Sequence, residues 1–219
     1  MVEKTMKTTN FKQNNSNLDY SNSDRPQQLR ALALEQSNRG EYQAAIATIT
    51  QLITNNPQQA VDYNNRGLIH YQNQEYEAAL ADYKVAIALN ERLDSAYNNR
   101  ANCYAALGNL AAAIADYQTA LDFNPGNIRA WINQGITYRQ MGLYDLALEN
   151  FDLALLFSAR LQGRIYGERG RTYHLRGDWN CAISDYQAAI AHLPATLASR
   201  RYQKRIEAWI EQLLKPLSA

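Results

Sequence analysis

Long hydrophobic runs are what this 219-residue sequence lacks most plainly. Its most apolar segments, such as the one around Ala111 to Ile114, stop far short of the roughly 18 to 20 residues that a membrane-spanning helix needs. No basic start followed by an apolar stretch marks a secretion signal, so the expected location is cytoplasmic, without membrane insertion. Cysteine is scarce too: Cys103 and Cys181 stand far apart and read as small buried hydrophobes, not as a disulfide or half a metal site. His70, His174 and His192 are scattered, with no HExxH pattern. Phosphate loops, dinucleotide glycine fingerprints and nucleophile motifs are also missing. Nothing therefore supports an enzyme, and neither a cofactor nor a metal is expected.

Charge is nearly balanced, with a formal net of +1, but it is unevenly spread. Residues 1–128 carry 10 Lys/Arg against 13 Asp/Glu, whereas residues 129–205 carry 11 against 6, so the basic excess is C-terminal. The first 25 residues are rich in Asn, Ser, Thr and Lys, show almost no apolar periodicity, and read as a flexible tail.

From Pro26 onward the chain resembles itself at a spacing of 34. With repeats beginning at Pro26, Ala60, Asp94, Ile128 and Gly163, the eighth position reads Ala33, Gly67, Ala101, Gly135 and Gly170. The twenty-fourth reads Ile49, Tyr83, Tyr117, Phe151 and Tyr186, so a large knob recurs with a small partner. Gly40, Gly108, Gly142 and Gly177 punctuate four of the repeats, and Gln74 beside Asn73 stands in the second. Pro57, Pro125 and Pro194 close three of them.

In this register the chain resembles the tetratricopeptide-repeat (TPR) family over roughly residues 26–215. The resemblance implies an all-α fold: a right-handed α-solenoid of five helix-turn-helix TPR repeats, about 26–59, 60–93, 94–127, 128–162 and 163–196, with a capping helix over 197–215. The fourth repeat is one residue longer, near Leu161 to Gly163, and Gly163, Gly167 and Gly170 read as a loop and the start of the next helix.

Position seven carries Leu32, Arg66, Arg100, Gln134 and Arg169, and position twenty-three carries Thr48, Asp82, Asp116, Asn150 and Asp185. An aspartate stands wherever there is an arginine and an amide answers an amide, which predicts Arg–Asp pairs between the two helices of three repeats.

Positions two, five, six, nine, twelve and thirteen of each first helix face away from this packing, and in the family that face lines a concave groove. There Asn64, Asn65, Asn98, Asn99, Asn102 and Asn133 form an amide strip suited to an extended peptide backbone, with Tyr71 the aromatic facing the groove. Arg129, Arg139, Arg164, Arg171, His174, Arg201 and Arg205 make its C-terminal half basic. A carboxylate clamp of the kind some relatives use would fall on Asn98, Asn102, Asn133, Arg164 and Glu168, but Asn98 lacks the charge and Glu168 reverses it. The function expected is a non-enzymatic scaffold or adaptor, of the kind that assists assembly of larger complexes. Its partner is another protein, met through an acidic or C-terminal segment. RNA or a polyphosphate on the basic half is the alternative, opposed by the few aromatics free to stack bases.

Overall fold

The computed structural model describes residues 25–158 and 160–215, in which eleven helices and no strand occur. The expected tail lies outside the described residues except for Arg25, which opens the first helix. Five helix pairs follow one another: α1 (Arg25–Asn38) with α2 (Tyr42–Asn55), α3 (Ala60–Gln72) with α4 (Tyr76–Leu89), α5 (Asp94–Ala106) with α6 (Leu110–Phe123), α7 (Ile128–Gln140) with α8 (Tyr144–Phe157), and α9 (Gln162–Arg176) with α10 (Trp179–His192). The last helix is α11 (Leu197–Leu214). No described helix is long and apolar enough to cross a membrane.

Each pair is joined by the same tight turn. Gly40, Gly108, Gly142 and Gly177 take φ of 81°, 79°, 76° and 94°, a left-handed conformation open to glycine without a Cβ penalty. In the second pair Gln74 itself takes φ 63°, so the neighbouring Asn73 is not the residue that turns. All five turns close with the same long backbone bond, as in Glu75 N–H to His70 O at 2.9 Å and Asn109 N–H to Tyr104 O at 2.9 Å.

Close approach of the paired helices rests on positions eight and twenty-four. A Cβ on Gly67 would sit 2.7 Å from the Tyr83 ring, one on Gly135 would sit 2.9 Å from Phe151, and one on Gly170 would sit 2.9 Å from Tyr186. These rings are fully buried, as are Ala79, Ala113, Ala147 and Ala182 beside them. Gly163, Gly167 and Gly170 all lie inside α9. The start of α9 lies against the end of α10, where a Cβ on Gly163 would meet the Leu193 backbone at 2.9 Å.

First helices of successive pairs touch one another, α1 to α3 and onward to α9 and α11, whereas among the described residues second helices do not. The stack therefore bends with its first helices on the inner side. Helix α11 takes the place of a sixth first helix, burying Ile206 and Leu213 with Trp209 and Ile210 over Tyr186 and Ala189. One expectation fails at the outer surface: Cys181 is exposed, and Trp179 beside it remains 48% exposed, because both stand at the start of α10 with no further layer to cover them.

Two outcomes test this packing. Gly67→Val overpacks the Tyr83 ring and lowers stability by about 1–3 kcal/mol in chemical denaturation, at unchanged helical content. Burial raises the Tyr186 hydroxyl from 10.0 to about 12 and pushes those of Tyr83 and Tyr117 upward as well. The folded state thus holds these protons more tightly than the unfolded chain. The contribution of Tyr186 is complete below pH 10 and is lost as pH rises through 12, and those of Tyr83 and Tyr117 persist to higher pH, so denaturation midpoints hold to about pH 9 and fall above pH 10.

Candidate partner-binding groove

Which arginines are free to meet a partner is decided first by those that are not. Arg66 donates from Nε and Nη2 to both oxygens of Asp82 at 2.8 and 2.7 Å. Arg100 does the same to Asp116 at 2.7 and 2.8 Å, and Arg169 to Asp185 at 2.7 and 2.8 Å. These are the three expected pairs, each a two-bond fork on a nearly buried carboxylate. Neighbouring tyrosines flank the guanidiniums, as where Arg100 lies 5.5 Å from the Tyr97 ring and 6.0 Å from Tyr104. A fourth fork joins repeats: Arg30 Nε and Nη2 reach Asp62 at 2.6 and 2.9 Å. Gln134 and Asn150, the amides at the same two positions of the fourth repeat, do not bond each other. Asn150 Nδ2 turns back to Leu146 O in its own helix at 2.8 Å, leaving its Oδ1 and the Gln134 Nε2 buried without a partner among the described residues.

The amide strip is bonded chiefly to itself. Asn99 Nδ2 donates to Asn64 Oδ1 at 3.0 Å, and Asn98 Nδ2 donates to Asn99 Oδ1 at 3.1 Å. Asn133 Nδ2 reaches Asn102 Oδ1 at 2.9 Å, which also accepts from the Tyr117 hydroxyl at 2.7 Å. Asn64 and Asn98 are 6% and 5% exposed and so do not face the groove openly, because position five sits in the seam between successive first helices. Positions three and ten belong to that seam too, as buried Asp62, Ala96, Ala130, Ile69, Cys103 and Thr137 show. Asn65, Asn99, Asn102 and Asn133 remain half-exposed above it. A cavity of about 210 Å³ opens there, lined by Tyr71, Asn102, Asn133 and Gln140.

At the C-terminal end the buried carboxylate of Glu168, 4% exposed, gathers several of the expected cations. Arg139 Nη2 donates to its Oε2 at 2.9 Å, while Arg205 Nη2 and the Tyr202 hydroxyl donate to Oε1 at 3.2 and 3.0 Å. Arg139 is thereby structural and largely covered, whereas Arg205 stays half in solvent over the Tyr202 ring at 4.7 Å. Arg171 lies 5.3 Å from the Trp209 ring and bonds Gln212 Oε1 at 3.4 Å. His174 adds no charge near neutral pH, since burial and then the adjacent Arg171 hold it below the usual imidazole range. Arg129, Arg164 and Arg201 are exposed. Among the described residues no group of three His, Cys, Asp or Glu side chains could hold a metal ion.

Models of the tetratricopeptide repeat match residues 95–127 and 127–201, and a TPR repeat model matches 67–108. The chain belongs to the tetratricopeptide-repeat family. Its five TPR pairs and terminal helix form the all-α solenoid expected of it. No curated protein sequence matches the chain. Among solved structures it is similar to the thermophilic TPR protein TTC0263 of Thermus thermophilus, with TM-score 0.72 and 21% identity over 83% of this chain and 98% of that one. Pseudomonas aeruginosa PilF gives TM-score 0.70 at 18% identity, covering 89% and 92%. YrrB, described as a TPR protein with an unusual peptide-binding site, gives TM-score 0.57 at 18% identity, covering 80% and 90%. Likeness at these identities establishes the fold.

A double-mutant cycle tests the structural role of the forked arginines. Arg100→Ala and Asp116→Ala couple by about 1–3 kcal/mol in denaturation, and a coupling near zero removes the fork from the account.

Proposed function

We propose that this TPR chain is a non-enzymatic scaffold that holds an extended segment of another protein along its inner face and favours acidic segments. The carrying observation is the division of its arginines. Arg66, Arg100 and Arg169 are held by aspartates, while Arg129, Arg164 and Arg201 stand exposed toward the C-terminal end. One-signed charge on an inward-curving face attracts oppositely charged segments, with binding that weakens as salt rises. Amide groups of Asn65, Asn99 and Asn102 suit a peptide backbone, which offers both donors and acceptors. A protein partner is favoured over RNA because arginines cover the rings of Tyr202 and Trp209, leaving little aromatic face for base stacking. The repeats span residues 26–196, with 197–215 closing the end of the array.

The test is affinity capture with quantitative mass spectrometry, comparing the wild type with an Arg129→Glu, Arg164→Glu, Arg201→Glu variant. These side chains are solvent-facing, so circular dichroism should be unchanged. Recovery of acidic partners is expected to fall about tenfold or more, and wild-type recovery to fall with added salt. Equal recovery by both proteins overturns the role of the basic end.

A further inference from the structure

The inner face changes character along its length, and that gradient restricts what can occupy it. Between α1 and α3 a cavity of about 230 Å³ is floored by Ala31, Leu34, Ile49, Leu68 and Ile69. Part of its polar rim is already occupied, since Arg30 is forked onto Asp62 and Ser37 bonds Gln72, and the Asn65 amide stands beside them. Leu34 nonetheless remains 57% exposed. Such a floor gives water no partner and suits an aliphatic side chain.

The middle of the face, from α3 to α7, carries the amides of Asn99, Asn102 and Asn133. The far end, at α9 and α11, carries Arg164, Arg171 and Arg205, while the buried Glu168 carboxylate is bonded by Arg205 and by Arg139 of α7, which leaves an excess of positive charge. Four steps between adjacent first helices separate the two ends. At roughly 8–10 Å per step the span is about 32–40 Å. An extended chain rising roughly 3.3 Å per residue crosses it in about ten to twelve residues.

Resting on the groove reading above, we propose that the recognised segment is bipartite. An aliphatic side chain enters the cavity at Leu34 and Leu68, and a cluster of Asp or Glu about ten residues away lies against Arg164, Arg171 and Arg205. The backbone between them runs over the exposed amides. Neither end alone specifies the segment: the apolar cavity is small, and a charged patch by itself discriminates poorly. Their fixed separation supplies the selectivity, since a segment with the wrong spacing reaches only one of them.

The test pans a displayed library of random 16-residue peptides on the immobilised full chain, then measures the enriched peptides by fluorescence anisotropy. The proteins compared are the wild type, Leu34→Glu, Arg164→Glu and the double variant, each checked by circular dichroism. Enriched peptides are expected to pair an aliphatic residue with an acidic cluster about ten positions apart. Each single variant should weaken them about tenfold, and the double variant about a hundredfold, because the two ends are too distant to couple. Enriched peptides sensitive to only one of the two substitutions overturn the bipartite motif and leave the groove reading intact. No enrichment, or peptides indifferent to both substitutions, overturns the groove reading itself. Displacement of the enriched peptides by a synthetic peptide of residues 1–24 assigns the groove to this chain's own N-terminal segment and overturns the external partner.

Discussion

The contact on which the rest of the molecule depends is that of a large ring at position twenty-four against a residue with almost no side chain at position eight. Tyr83 on Gly67, Tyr117 on Ala101, Phe151 on Gly135 and Tyr186 on Gly170 set how closely the two helices of a pair can lie. Once that distance is set, arginine at position seven can reach the aspartate at position twenty-three of the facing helix with both arms. It also fixes which face of each first helix is left over. That leftover face, repeated from α1 to α11, is the candidate groove.

Features written into every repeat were legible in the sequence, because each was stated several times in one register. The knob and its small partner, the turn glycines and the Arg–Asp forks all follow from comparing a position with itself 34 residues on. Features that belong to a single junction were not. Glu168 looked like an acidic intruder in a basic groove until Arg139, Tyr202 and Arg205 were seen bonded to it, and those four residues come from three helices and recur nowhere. The fork from Arg30 to Asp62 was missed for the same reason. Asn64 and Asn98 were misplaced by a finer error. Helical periodicity separates inner from outer positions, but it does not say where along the inner face the neighbouring first helix lands, and it lands on position five.

The amides illustrate how structure and recognition share residues here. A chain of hydrogen bonds from Asn64 through Asn99 to Asn98, and from Asn133 to Asn102, ties three first helices together and leaves only the upper members accessible. The same chemistry that would suit a peptide backbone is thus already used to align successive repeats. Groups held in this way are pre-oriented, so a ligand meeting them orders little that was free.

Gln134 and Asn150 give the fourth repeat a different standing from its neighbours. Where the second, third and fifth close with a charged fork, this one buries two amide atoms with no partner among the described residues. In a linear array each unit is stabilised only by itself and by the units on either side, so cooperativity passes along the chain like tension through links. A link that is weaker in itself sets where the array divides. The repeats before it and the repeat-and-cap unit after it could then open as separate halves, and the boundary falls between the neutral and the basic portions of the inner face.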